Sequence, residues 1–242
     1  MTIPVAPDPS ASPATAGSAI AQDGVAAADP ASAESTNAVL GMIAYGQLAA
    51  FSRLAADAAL APELSQRLRL SRLAGLALRR LDRVAERLEE LGHDLEPVMA
   101  PFAGVLVEFD QRTAPGTWWE RLLKGYVGYG VADDFSRIVA QRLDPDTRDM
   151  VVDVLADEAY AELVVDALAA AAAQDPTLAS RLALWGRRLV GEALGVVQRV
   201  LADHPDLRGL LEVGTPGDAQ QRLFSALTAE HSRRMERLGL TP

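Results

Sequence analysis

The stretch LAGLALRRLDRVAERL, residues 73–88, decides the fold. Extended by a turn at each end, it sets Leu70, Ala74, Ala77, Leu81, Val84, Leu88 and Leu91 at alternating steps of four and three residues. A stripe sustained in that way buries one face of a long helix against other helices, so it reads as a bundle seam. The helix is expected from about Glu63 to Leu91, where Gly92 stops it.

The same periodicity continues on both sides. Upstream, Leu40, Ala44, Gln47, Phe51, Leu54 and Ala58 predict a helix over roughly 36–60 that Pro62 ends. Downstream, the segment 96–110 is apolar but interrupted by Pro101, which suits a crossover better than a core helix. A third long helix is predicted over 117–142 with Thr117 as N-cap, and a fourth over 146–174 with Asp144 or Asp146 at its cap. Asp175-Pro176 and the segment 214–217 then set off helices over 177–203 and 218–238. No segment alternates with period two. The expectation is an all-α protein: two antiparallel hairpins joined by a long crossover, a ferritin-like four-helix bundle with additional C-terminal helices outside it.

Residues 1–35 are rich in Ala, Pro and Ser without periodicity, a composition that cannot bury enough apolar surface to offset its ordering entropy. They are expected to be a disordered tail preceding one helical domain over 36–242. The chain has no cysteine, which excludes disulfides, iron–sulfur clusters and thiolate metal sites. A net charge of −10 opposes broad attraction to nucleic acid or anionic lipid. No uninterrupted apolar run approaches the roughly 20 residues of a membrane span, and no cationic leader precedes an apolar block, so the expectation is a soluble cytoplasmic protein.

Histidines are His93, His204 and His231, and no two share a helical face at ligand spacing. Glu90 and His93 match Glu-x-x-His on paper, but Gly92 separates them and makes a helix cap the better reading. In a di-metal bundle, two helices each supply a carboxylate and two others each supply a Glu-x-x-His pair, because positions i and i+3 point the same way. Here the corresponding mid-helix positions hold Gln47 on the first helix and Ala77 with Arg80 on the second. The third offers Tyr126, Tyr129, Asp133 and Asp134; the fourth offers Asp157, Glu158, Tyr160 and Glu162, with Asp157 and Tyr160 related as i and i+3. Two arrangements are compatible with this pattern. Either Arg80 turns inward and compensates Asp133 or Asp157 as a metal would, with Gln47 and Tyr160 as neutral hydrogen-bonding groups, or it snorkels to solvent.

Five stretches carry a family resemblance: AYGQLAAFSRLAADAALAP (44–62), MAPF (99–102), TAPGTWWERLLKGYVGYGVADDF (113–135), VLADEAYAEL (154–163) and, most specific, SRLALWGRRLVGEAL (180–194). They resemble a bacterial group of ferritin-like proteins related to tRNA-modifying di-iron hydroxylases (MiaE-like). The resemblance implies glutamate at the position of Gln47, glutamate and histidine at Ala77 and Arg80, aspartate at Tyr129 and histidine at Tyr160. This chain departs at each, leaving Asp157 and Asp133 as remnants. Gln47, Ala77, Arg80, Tyr129, Asp133, Asp157 and Tyr160 are therefore expected as a vestigial site with neither metal nor catalytic residue.

The leading expectation is a non-catalytic scaffold or regulatory protein without cofactor, forming a homodimer or other homo-oligomer through its outer helices. The alternative is a di-iron hydroxylase or oxidase with an unusual ligand set, acting on tRNA if the resemblance extends so far. Arg69, Arg72, Arg79, Arg83 and Arg87 recur at helical spacing and would suit an RNA backbone, but Asp82, Glu86, Glu89 and Glu90 interleave with them, the pattern of a salt-bridged solvent face. Gly125, Gly128 and Gly130 lie within a helix and are expected to permit close packing rather than phosphate binding. Trp118-Trp119 reads as core anchoring, and Glu192 is a candidate partner for Arg187 or Arg188.

Overall fold

A computed structural model describes residues 1, 31–156, 158–211 and 216–242. The bulk of the expected tail, 2–30, lies outside the described residues, as does Asp157. Among the described residues every regular element is helical.

Helix α1 (Ala33–Leu60) begins earlier than its apolar stripe because Ser32 caps it, the hydroxyl accepting from the Ser35 amide at 3.1 Å. Its stripe is largely as expected: Leu40, Ala44, Gln47, Leu54 and Ala58 are buried, while Phe51 is half-buried and Asp57, off the stripe, is buried. Among the described residues α1 alone is long and apolar enough to cross a membrane, and here it packs on protein, mainly on α2.

Helix α2 (Leu64–Glu90) folds back along α1 and buries Leu70, Ala74, Ala77, Val84 and Leu88. Leu91 is 38 % exposed, since the helix has ended there. Gly92, at φ 82°, closes the helix, and the His93 amide reaches back to the Leu88 carbonyl at 2.9 Å. Glu90 then pairs with Arg87 at 2.7 Å and His93 with Asn37 at 3.0 Å, so the Glu-x-x-His match is a cap.

The crossover holds two short helices, α3 (Leu95–Met99) and α4 (Val107–Arg112), with a 3₁₀ turn at Ala100–Phe102 between them. The third bundle helix starts with a capping box at Thr117 and Glu120 and is not uniform: α5 (Trp118–Leu123), a π-helical turn (Lys124–Gly128), then α6 (Tyr129–Ala140). The fourth is broken, correcting the expected single helix. Helix α7 (Pro145–Val154), capped by Asp144, ends at Leu155, and α8 (Glu158–Gln174) comes after it. Two arginine side chains compensate the break: Arg137 donates to the Leu155 carbonyl and Arg80 to the Ala156 carbonyl, taking up acceptors that a continuous helix would satisfy itself.

Outside the four, α9 (Pro176–Asp203) starts at the Asp175 cap and lies against the π turn, α6 and α8. Helix α10 (Pro205–Gly209) returns to α1, and α11 (Pro216–Arg237) packs on α6 and α9. Glu192 faces Arg112 at 3.6 Å, not its helix neighbours; Arg187 binds the C-terminal carbonyls of Thr241 and Pro242, and Arg188 the carbonyl of Arg112.

Candidate functional site

The three glycines of the third helix admit the side chains that make the interior polar. A Cβ on Gly125 would collide with the Tyr160 hydroxyl and with Nη1 of Arg53, one on Gly128 with the Phe109 ring, and one on Gly130 with the Arg234 guanidinium. Close packing, the expected role of these glycines, therefore takes the form of side chains laid over bare backbone. Tyr160, 2 % exposed, donates its hydroxyl to the Leu122 carbonyl at 3.3 Å.

Six of the seven positions singled out in the sequence, Gln47, Ala77, Arg80, Tyr129, Asp133 and Tyr160, line one inner cavity of about 70 Å³; Asp157 lies outside the described residues. The cation stacked at the heart of this group is one the seam pattern did not single out. Arg53 sits 4.5 Å from the ring centre of Tyr129 and 5.5 Å from that of Tyr160, within cation–π range of both. Its Nη1 lies 3.7 Å from Asp57, whose side chain is 1 % exposed and is also held by Arg121 at 3.0 Å. Nε and Nη1 of Arg53 are buried without a hydrogen-bond partner. Burial works against its charge, but Tyr160, Tyr129 and Asp57 outweigh it and push the pKa above the ordinary arginine value.

Arg80 is half-buried and spans from α2 to the helix break. Asp133 is pushed above the usual carboxylate range by burial, against the pull of Arg137, Arg234 and Arg53. Asp57 is likewise raised by burial, against the pull of Arg53 and Arg121. Tyr129 is raised by burial and by the 2.5 Å hydrogen bond it donates to Asp110.

Outside the shared wall of Arg53, Leu106 and Tyr129 lies a larger cleft of about 500 Å³ that opens to the surface. Lys124, on the π turn, points toward it with its side chain 8 % exposed and pairs with Asp110 at 2.7 Å. The sequence does carry signals for this cluster: Arg53 and Asp57 are four residues apart flanking an apolar stripe, and Arg121 and Lys124 are three apart behind the Thr117 cap. A third polar group joins α11 to α6, where Arg234 forks onto Asp134 at 2.5 and 2.7 Å. On α2, Arg83 reaches Asp153 at 3.5 Å, and Arg87 reaches Asp144 at 3.3 Å and Thr147 at 2.9 Å, so part of the arginine stripe binds α7.

Two metal ions in a helical bundle need several converging carboxylates and imidazoles. The described lining of the inner cavity offers one carboxylate, an amide, two phenols and two guanidiniums, and no cluster of three His, Cys, Asp or Glu occurs among the described residues. A guanidinium is protonated at any physiological pH and has no lone pair to give, so it repels a cation where a ligand would attract one. The described donors do not fit a di-metal centre.

No curated protein matches the chain. A family model described as a ferritin-like domain of actinomycetes matches residues 32–214, from the cap of α1 through α10. That span takes in the whole bundle and its inner cavity, and the chain belongs to this actinomycete ferritin-like family.

Proposed function

We propose that this is a non-catalytic member of the ferritin-like fold, a cytoplasmic homo-oligomeric scaffold or regulatory protein descended from a metal-binding bundle of the tRNA-hydroxylase type. Gln47, Ala77, Arg80, Tyr129, Asp133 and Tyr160 are, on this reading, the degenerate metal positions, with Asp157 as the seventh. The observation that carries it is Arg53: a fixed positive charge lies stacked between Tyr129 and Tyr160 beside the cavity those residues line. It neutralises buried Asp57 and acts on Asp133, which is the electrostatic task of a metal, without offering a coordination position.

The test is metal analysis of protein purified from cells supplied with iron or manganese. Substoichiometric metal in the wild type, unchanged in Asp133→Ala and Asp157→Ala, is expected. Stoichiometric metal that either substitution removes would replace this reading with that of a di-iron hydroxylase or oxidase with an unusual ligand set. Sedimentation analysis tests the homo-oligomer: a monomer at all concentrations would remove the scaffold role assigned to the outer helices.

A further inference from the structure

The outer cleft holds an uncompensated charge. Among the described residues lining it, Arg53, Arg121 and Lys124 are cationic and Asp57 and Asp110 are anionic. The two carboxylates are already divided: Asp57 is shared by Arg121 at 3.0 Å and Arg53 at 3.7 Å, and Asp110 takes Lys124 at 2.7 Å together with the Tyr129 hydroxyl at 2.5 Å. One positive charge is left over among the lining side chains, and Arg53 Nε is buried without a hydrogen-bond acceptor, while its Nη1 faces the equally unpartnered Oδ2 of Asp57 at 3.7 Å.

Such a surplus is costly where the cationic side chains are themselves largely buried, as Lys124 and Arg53 are, unless an anion joins it. The rest of the lining says what kind. Leu48, Ala49, Leu106, Val107 and Pro115 form an apolar wall, and about 500 Å³ is room for a small organic molecule. Tyr45 accepts from the Gly104 amide at 2.8 Å, which leaves its hydroxyl proton to donate. A phosphate dianion would over-neutralise the single surplus charge and leave the apolar wall unused. From this we infer that the cleft is a binding site for a small monocarboxylate with an apolar body, its carboxylate held by Lys124, Arg121 and Arg53 and its body by Leu48, Leu106 and Pro115.

The inference rests on the proposed function, because the surplus exists only while Arg53 keeps its place. One preparation tests both separately. Metal content is measured on the purified full chain, and the same sample is titrated calorimetrically with hexanoate, hexanol, hexylamine and inorganic phosphate. Hexanoate is expected to bind saturably and at least about tenfold more tightly than hexanol, with no saturable binding of hexylamine or phosphate. Lys124→Met and Arg121→Met should each weaken hexanoate by about tenfold or more, while Lys124→Arg retains it. Lys124 is buried and Arg121 holds buried Asp57, so each replacement also disturbs an ion pair; an unchanged hexanol titration in the same variants separates lost carboxylate recognition from a disturbed cleft. Absence of saturable hexanoate binding, equal affinity for hexanol, preference for phosphate, or indifference to Arg121→Met would overturn the inference. The titration alone judges the carboxylate site; the metal content alone judges the reading beneath it.

Discussion

Removing the Arg53 side chain would leave Asp57, 1 % exposed, to its ion pair with Arg121 and would uncover the faces of Tyr129 and Tyr160. Breaking a buried pair from one side costs about 3–5 kcal/mol when the remaining charge is left alone, and less where, as here, Asp57 keeps Arg121 at 3.0 Å. Arg53→Ala should lose about 2–3 kcal/mol in urea unfolding, from the weakened pairing and the uncovered rings, and Arg53→Lys less, since it keeps the charge. A loss below about 1 kcal/mol, the range of exposed pairs, would mean that the guanidinium is not held at the bundle centre. The positions around it were readable: apolar spacing on four helices brings Gln47, Ala77, Arg80, Tyr129, Asp133 and Tyr160 to one cavity. Arg53 was not, because a periodic stripe registers where Cα atoms face, and a long side chain rooted beside the stripe reaches inward from a position that the pattern scores as flank.

The π turn at Lys124–Gly128 is the element that makes the interior possible. One added residue per turn rotates the rest of the helix relative to its start, a distortion common at functional sites, and here Lys124 enters the cleft while Gly125 lies bare beneath Tyr160 and Arg53. Gly125→Ala should cost about 1–3 kcal/mol through overpacking. Because the added methyl meets the Tyr160 hydroxyl first, Gly125→Ala combined with Tyr160→Phe should lose less than the two changes summed, with a coupling of about 1 kcal/mol in thermal or urea denaturation. Strict additivity would place Tyr160 elsewhere. Helix starts were legible because their chemistry is local. Thr117, Asp144 and Asp175 each accept backbone N–H bonds as capping residues do, and Thr117→Ala should cost about 1 kcal/mol. The break between α7 and α8 was not legible, since its carbonyls are satisfied by Arg80 and Arg137 from other helices and neither Gly nor Pro marks it.

At the scale of the whole molecule, the family match ends at 214, yet α11 beyond it contributes Leu223, Leu227 and Met235 to the same core. The bundle and its outer helices thus share one hydrophobic interior among the described residues. What fastens α11 includes a group that acid should undo. His231 is 2 % exposed, neither ring nitrogen has a hydrogen-bond partner, and burial, aided by nearby Arg234, lowers its pKa from 6.5 to about 4. Between those values the unfolded chain binds a proton that the folded chain refuses, so stability falls as pH drops from 6.5 toward 4. The full shift is worth roughly 3 kcal/mol. Asp57 and Asp133 oppose it: their raised carboxyls hold protons in the folded state that unfolded carboxyls have released, which adds stability on acidification. The histidine's share is isolated by comparing urea midpoints of wild type and His231→Leu at pH 7 and pH 5. The variant should be close to wild type at pH 7, having no hydrogen bond to lose, and should resist the acid shift that the wild type suffers. Parallel losses in the two proteins would show that His231 can take up its proton without leaving the fold, and that α11 is held without regard to its charge.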